Sequence, residues 1–146
     1  QELPKARWTE GRLLAKKQLP SAMIDLSDGR SSDLGHLAHQ SGVGAELWAD
    51  RIPISPALKR WAKKKGTDPL SYALHGGEDY ELLFSVPEKK QARLERMIRL
   101  GQIQARPIGI LIEKGAGLLI KTGENVRPLV SGGYDHFKKD NKKVRS

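Results

Sequence analysis

Residues 22–29 read Ala-Met-Ile-Asp-Leu-Ser-Asp-Gly, and this octet organises the rest of the chain. Its first residues are small or apolar, which suits a buried strand, and it ends with two carboxylates, a hydroxyl and a glycine. After it, Leu34, Leu37 and Ala38 recur at i, i+3 and i+4, the spacing of a helix. The acids therefore lie where a strand gives way to a helix, and ligands of α/β proteins gather at that end of a strand.

The chemistry of the octet rests on Asp25 and Asp28. Two like charges at this spacing repel unless a cation lies beside them. Magnesium suits such a site, because it takes oxygen ligands and is often held by one or two carboxylates together with substrate phosphates. Asp and Ser are also common helix N-caps, which satisfy free backbone donors. On the octet alone, the cap interpretation is ahead of the metal interpretation.

Length and composition narrow the class of protein. A chain of 146 residues with 38% apolar residues predicts one soluble globular domain. The sequence has no apolar run long enough to span a bilayer and no leading secretory segment, so we expect a cytoplasmic location without membrane association. Because it has no cysteine, disulfides and thiolate zinc sites are excluded.

The net charge of +9 raises the alternative of a basic nucleic-acid-binding module. Much of the excess lies in two clusters, residues 59–65 and 138–145. Neither cluster interleaves aromatic side chains, as single-strand binders do. A solvated helix face and a disordered basic tail over 138–146 are the preferred interpretation, and nucleic acid is an unlikely partner.

Helices and strands alternate along the chain, which indicates an α/β (α+β) fold with helices packed on a mixed β-sheet. The last two strands are expected to form a hairpin through the turn at 115–117. The predicted helices are 10–19, a second that follows Ser31-Ser32-Asp33 and runs to about residue 40, 56–65, 67–75 and 87–100. The predicted strands are 22–26, 44–49, 80–86, 105–112 and 118–121.

Two further motifs carry polar or aromatic groups beside double glycines. Residues 76–80 read Gly-Gly-Glu-Asp-Tyr, and residues 132–134 read Gly-Gly-Tyr. Taken alone, the first is better explained as a plain turn with solvated acids, and the second as a tail anchored by aromatics. The three tryptophans, Trp8, Trp48 and Trp61, are expected to be core or packing residues rather than stacking platforms.

Five segments together resemble the C-terminal domain of the thiamine-monophosphate kinase family, within the aminoimidazole-ribonucleotide-synthetase-like superfamily. They occur in the family's order over nearly the whole chain, at residues 24–29, 41–45, 52–53, 76–82 and 133–137. The resemblance implies that residues 1–137 form the C-terminal kinase domain. It also implies a separate N-terminal domain, which in the family supplies further magnesium-binding aspartates and the dimer interface of a homodimer.

The same resemblance implies an activity and a set of site residues. The family transfers the γ-phosphoryl group of ATP to thiamine monophosphate, giving thiamine diphosphate in thiamine diphosphate biosynthesis. By resemblance, Asp25 and Asp28 bind Mg²⁺, Ser27 contacts ATP, Glu78 binds the thiamine moiety and Tyr134 forms an aromatic wall for it, with Phe137 as the alternative wall. A domain without the other half of its site is expected to be inactive alone, which leaves a non-catalytic ligand-binding domain as a further alternative.

One position departs from the family pattern. Arg30 follows Gly29, where the family usually has leucine. Its charge is expected either to reach a phosphate or to point to solvent, and the packing of the turn on its helix is left open.

Overall fold

A computed structural model of the chain describes residues 7–76 and 81–130. Its elements follow in the predicted alternating order, with short 3₁₀ helices at Ala49–Arg51 and Lys114–Ala116. The helices are α1 (Trp8–Lys16), α2 (Arg30–Ser41), α3 (Pro56–Lys65), α4 (Pro69–His75) and α5 (Glu88–Arg99), and the strands are β1 (Ala22–Asp25), β2 (Gly44–Trp48), β3 (Leu82–Ser85), β4 (Gly109–Ile112), β5 (Leu118–Thr122) and β6 (Asn125–Pro128).

The larger sheet has four strands in the order β4-β2-β5-β6. Strands β2 and β5 run parallel, whereas the β2–β4 and β5–β6 pairs are antiparallel. The prediction of a mixed sheet with helices packed on it is therefore confirmed.

The predicted hairpin between the strands at 105–112 and 118–121 is wrong. Strand β2 lies between β4 and β5, and β5 forms its hairpin with β6, a strand that was not among those predicted. The connection from β4 to β5 crosses the start of β2 at Gly44. A Cβ atom there would lie 2.6 Å from the carbonyl oxygen of Gly117 and 2.7 Å from that of Glu113, so only glycine allows this crossing.

The smaller sheet pairs β1 with β3 in antiparallel register, with Asp25 opposite Leu82. Each of these two strands can be predicted from its own residues, because both segments are rich in strand formers. The pairing places the last residue of β1 beside the first residue of β3. The acidic octet therefore leaves β1 at the end of the sheet where β3 begins.

Two apolar clusters hold the elements together, and burying each large side chain stabilises the fold by roughly 1.5–3 kcal/mol. The first joins α2 and α4 to β2 and β5, and it places the acidic octet beside the end of α4. The second joins α1 and α5. The buried members are Leu34, Ala45, Leu47, Ile52, Ala73, Leu74 and Ile120 in the first cluster, and Leu14, Leu19, Met97 and Ile103 in the second.

The expectation for the tryptophans is only partly met. Trp8 is 74% exposed, so the prediction of a core position is wrong for it. Trp61 is 43% exposed, although its ring contacts that of Tyr72 edge-on with centroids 4.9 Å apart. Trp48 is half-buried, with the Arg51 guanidinium over its ring. Trp8 is the first residue of α1, and it does not belong to the apolar cluster around Leu14.

The surfaces of the helices are relevant to two functions considered above, nucleic-acid binding and membrane association. The basic residues Lys59, Arg60, Lys63, Lys64 and Lys65 of α3 are all exposed, which is the arrangement of a solvated face. Within residues 7–76 and 81–130, no helix has the length and apolar character needed to cross a membrane. The predicted basic tail, residues 138–146, lies outside the described residues.

Candidate functional site

The acidic turn, residues 25–29, connects β1 to α2 as the sequence predicts. Asp25 is the last residue of β1, and Asp28 lies in the turn two residues before the first residue of α2. The side chains of Asp25, Ser27 and Asp28 are all exposed. Two carboxylates and a hydroxyl are therefore presented to solvent at the carboxyl end of a strand.

The backbone of the acidic turn is held by Asp33, a residue that the sequence analysis did not single out. Asp33 is 2% exposed, and its Oδ2 accepts hydrogen bonds from the backbone nitrogens of Ser27 at 2.8 Å and Asp28 at 3.1 Å. A carboxylate that accepts two backbone N–H groups is a charge-assisted anchor. The turn therefore keeps its shape while its own carboxylates remain free to meet a ligand.

The spacing of the buried residues on α2 is the signal that could have identified Asp33. Arg30, Asp33, Leu34, Leu37 and Ala38 recur at i, i+3, i+4, i+7 and i+8, and all are buried. An acid on the apolar stripe of a helix needs a partner, because burying an unpaired charge is costly. The nearest backbone donors along the chain are those of the preceding turn.

The N-cap alternative for the acids is wrong. Gly29 occupies the N-cap position of α2, and it has no side chain with which to cap the helix. Its φ of +106° lies in the region that favours glycine. A Cβ atom at Gly29 would lie 3.0 Å from the carbonyl oxygen and 3.2 Å from the Cα of His75. The acidic turn therefore lies directly against the backbone at the end of α4.

Arg30 does not point to solvent, so that expectation is wrong. Its side chain is buried at 7% exposure, and Nη1 donates a hydrogen bond to the carbonyl oxygen of Ala73 at 2.6 Å. That carbonyl belongs to the last turn of α4, where carbonyls lack helical N–H partners. Next to it, the Ser31 Oγ and the His75 Nδ1 are 2.8 Å apart. The first two residues of α2 thus bind the end of α4.

Glu81 also contacts the acidic turn, through its backbone carbonyl. The backbone nitrogen of Leu26 donates to the carbonyl oxygen of Glu81 at 2.8 Å. The Glu81 carboxylate accepts from Arg7, with Nε–Oε2 at 3.2 Å and Nη2–Oε1 at 3.3 Å. The Glu81 carboxylate raises the pKa of Arg7 above its ordinary value, with a smaller contribution from Glu10 at 3.1 Å. This forked ion pair ties α1 to the start of the third strand.

Two predicted substrate-binding residues, Glu78 and Tyr134, lie outside the described residues, as does the alternative Phe137. The structure does place both neighbours of the Glu78 segment. The backbone of His75 lies against Gly29, and the carbonyl oxygen of Glu81 accepts the amide of Leu26.

Comparison with known proteins identifies the family. The family described as "AIR synthase related protein, C-terminal domain" matches residues 1–121, most of the chain. The chain belongs to this family. Among curated relatives, the thiamine-monophosphate kinase of Aquifex aeolicus is 37% identical over 80% of the chain, and that of Escherichia coli K12 is 39% identical over 92%.

The AIR synthase related domain also matches solved structures of full enzymes. The structure of AaThiL complexed with AMPPCP and TMP is 31% identical, with a TM-score of 0.66 over 92% of this chain. The domain spans only 34% and 40% of the length of the two curated relatives, and 38% of that structure. The chain therefore covers less than half the length of those proteins.

Asp25 and Asp28 are the candidate metal ligands of this AIR synthase related domain. Asp25 and Asp28 offer hard carboxylate oxygens, the ligands that Mg²⁺ prefers. In the part of the chain that the structure describes, no three acidic, histidine or cysteine side chains gather closely enough to hold a metal alone. The two carboxylates fit a metal that also takes oxygens from phosphates or from residues beyond this turn. Two open cavities, of about 500 and 470 Å³, lie along α1 and between α2 and the β4–β5 connection, and residues 25–29 line neither of them.

Proposed function

We propose that the chain is the C-terminal domain of an ATP-dependent thiamine-monophosphate kinase. A phosphate oxygen of thiamine monophosphate attacks the γ-phosphorus of ATP. The bond from that phosphorus to the β-phosphate bridging oxygen breaks, thiamine diphosphate forms and ADP leaves. The single observation that carries the proposal is the exposed acidic turn anchored by Asp33, in a chain similar to enzymes of this name.

The site residues take roles that suit their chemistry. Phosphoryl transfer needs alignment and charge neutralisation more than covalent help, and Mg²⁺ bound by Asp25 and Asp28 would supply that neutralisation at the triphosphate. Ser27, exposed between them, contacts ATP. Glu78 and Tyr134 bind thiamine monophosphate, the first by charge attraction to the cationic heterocycle and the second through its aromatic face.

The assembly around the domain follows from the same proposal. Residues 1–137 form the C-terminal domain, residues 138–146 form a basic tail, and an N-terminal domain of the same enzyme completes the site and forms the homodimer interface. The enzyme acts in the cytoplasm. The 146-residue chain assayed without that N-terminal domain is inactive, because the N-terminal domain supplies the further magnesium-binding aspartates.

The decisive experiment measures thiamine diphosphate formation by the complete product of the gene that encodes this chain. Asp28→Asn and Asp25→Asn are compared with Asp50→Asn, an exposed aspartate after β2. We expect the two turn variants to lose roughly 10²–10³-fold in kcat, the scale at which removal of one electrostatic stabiliser acts. Their melting temperatures should stay within a few degrees of the unsubstituted enzyme.

Two results would contradict the proposal. One is a complete gene product that forms no thiamine diphosphate from ATP, Mg²⁺ and thiamine monophosphate. The other is an Asp28→Asn variant with unchanged turnover at limiting Mg²⁺. A parallel assay of the 146-residue chain alone should give no product.

A further inference from the structure

The two candidate metal ligands of the acidic turn are held by different anchors. Asp25 is the last residue of β1, and its backbone is fixed by pairing with Leu82 of β3. Asp28 lies three residues further on, in the turn, where its backbone nitrogen donates to the Oδ2 of Asp33 at 3.1 Å. The same oxygen accepts from the backbone nitrogen of Ser27 at 2.8 Å. The sheet therefore places Asp25, whereas Asp33 holds the part of the turn that carries Asp28.

We propose that Asp33 is a positioning residue for the metal, which sets the place of Asp28 relative to Asp25 and thereby the affinity of the turn for Mg²⁺. This inference rests on the proposed function, in which Asp25 and Asp28 bind that ion. Asp33 is not assigned as a ligand itself. It is 2% exposed, and among the described residues the three aspartates do not form a cluster that could hold a metal.

Asp33 can hold the turn firmly because α2 fixes its own position. It lies in the first turn of α2, on the buried stripe that also carries Leu34 and Leu37. Its backbone nitrogen donates to the carbonyl oxygen of Gly29 at 3.0 Å, so both its backbone and its side chain are bonded to the acidic turn. Hydrogen bonds to a buried carboxylate are strong, because the acceptor is charged and water competes weakly.

The affinity for Mg²⁺ should depend on this anchor because the ion demands near-ideal octahedral geometry, with oxygens at about 2.0–2.1 Å. A carboxylate that is already in place contributes more to binding than one that must be ordered when the ligand arrives. Loss of the Asp33 carboxylate should free the Asp28 end of the turn and leave Asp25 fixed in β1. The loss of metal affinity should therefore act through Asp28.

The first test measures metal binding by the complete gene product with ADP present, so that no turnover occurs. Mn²⁺ replaces Mg²⁺ as the probe, because it accepts the same oxygen ligands, and its binding is followed by electron paramagnetic resonance. We expect Asp33→Asn to raise the dissociation constant of the site that Asp28→Asn weakens about 10-fold, the lower end of the range for residues that orient a metal ligand. Asp50→Asn, an exposed aspartate after β2, is the control and should leave this constant unchanged.

A double-mutant cycle separates positioning of the metal ligand from general destabilisation. In the Asp28→Asn background, Asp33→Asn should weaken Mn²⁺ no further, because the carboxylate that it places has been removed. In the Asp25→Asn background, Asp33→Asn should keep most of its roughly 10-fold effect. A purely structural role of Asp33 would give the same loss in both backgrounds.

Kinase assays of the same proteins give a second measurement. The Mg²⁺ concentration for half-maximal activity should rise about 10-fold in Asp33→Asn, while the KM for thiamine monophosphate changes less than about twofold. Asp33→Ser, which is smaller than aspartate and buries no charge, is tested with the same expected outcomes if Asp33→Asn does not fold.

Unchanged Mn²⁺ affinity in the Asp33 variants, or equal losses in the two backgrounds, would overturn the inference. Failure of the kinase proposal is observed separately, as an unsubstituted gene product that forms no thiamine diphosphate. Mn²⁺ binding can still be measured in such a protein, and a loss that acts through Asp28 would support the role of Asp33 there. An unsubstituted protein in which neither Asp25→Asn nor Asp28→Asn weakens Mn²⁺ would refute it.

Discussion

The carboxylate of Asp33 lies 2.8 Å from the backbone nitrogen of Ser27, across the turn that carries the two exposed acids. The same oxygen accepts the amide of Asp28 at 3.1 Å. A third, buried aspartate therefore holds the backbone of the turn. Asp33 is buried and holds the backbone of the turn, whereas the exposed carboxylates of Asp25 and Asp28 are accessible to ligands.

Replacing Asp33 by asparagine should destabilise the protein measurably. Hydrogen bonds to a charged group contribute about 1.5–3 kcal/mol, and the neutral amide keeps only part of that. We expect a loss of roughly 1–2 kcal/mol in the free energy of unfolding, measured by urea denaturation. The Ser27 and Asp28 amides should exchange faster with solvent. Asp50→Asn is the control, and equal denaturation midpoints for the two variants would show that the buried carboxylate does not hold the turn.

Gly29→Ala should cost more stability than Gly42→Ala, although both glycines have positive φ angles, +106° and +67°. At Gly42 nothing lies within 4 Å of the added Cβ, so only the left-handed backbone opposes alanine, at roughly 1–2 kcal/mol. At Gly29 the Cβ also meets the His75 backbone 3.0 Å away, which adds about 1–3 kcal/mol of steric cost.

Thermal and urea denaturation of the two glycine variants provide the comparison. A Gly29→Ala protein as stable as Gly42→Ala would mean that the end of α4 moves freely away from the acidic turn.

The local features of the chain were predictable because their causes are local. Gly42 and Gly66 end α2 and α3 with φ angles of +67° and +65°, as glycine permits. Ser55 caps α3 through the Leu58 amide, with Pro56 as its first residue. Asp25 and Asp28 could also be placed between β1 and α2, because the spacing of apolar residues changes there from that of a strand to that of a helix. This spacing depends only on residues that are close together in the sequence.

The features that could not be predicted depend on distant partners. Arginine side chains are usually exposed, and the burial of Arg30 involves a hydrogen bond to the Ala73 carbonyl, 43 positions away in the sequence. The burial of Asp33 could have been predicted, because it is an acidic residue on the apolar stripe of a helix. Its hydrogen-bond partners could not, because they depend on the geometry of the turn. The order β4-β2-β5 required a strand from early in the chain to enter between two late ones, which no local pattern encodes.

The Arg7–Glu81 ion pair should make a small, salt-sensitive contribution to stability. Both side chains are partly exposed, 35% and 46%, and pairs of this kind contribute about 0.2–1 kcal/mol. Arg7→Met should therefore lower the free energy of unfolding by less than about 1 kcal/mol at low salt. The difference should shrink near 1 M salt, where the Debye length falls to about 3 Å. Arg12→Met, an exposed arginine of the same helix, is the control.

The raised pKa of Arg7 fixes the sign of its pH dependence. A cation whose pKa is higher in the folded protein stabilises the fold below its unfolded pKa, and this contribution is lost as pH rises through the folded value. Because arginine titrates only in strongly alkaline solution, Arg7 should give no stability change through the neutral range. A double-mutant cycle with Glu81→Gln measures the pair directly, and a coupling energy that persists unchanged at high salt would contradict the surface-pair description.

Gly44→Ala tests the strand order that the sequence did not predict. The β4–β5 connection crosses Gly44 so closely that an added Cβ would lie 2.6 and 2.7 Å from two carbonyl oxygens, those of Gly117 and Glu113. Both obstacles are backbone atoms, and the Ala45 amide is bonded to the Gly117 carbonyl at 3.0 Å, so neither can retreat without breaking the crossing. We expect a loss of about 3 kcal/mol, at the upper end for overpacking.

Gly115→Ala is the matched control, because it lies in the same connection with nothing within 4 Å of its Cβ and no positive φ. It should be neutral or stabilise the protein by about 0.4–1 kcal/mol, through reduced freedom of the unfolded chain. Urea denaturation of both variants measures the difference. If β4 and β5 formed the simple hairpin that the sequence suggests, nothing would cross Gly44, and alanine at position 44 would be tolerated as well as alanine at position 115.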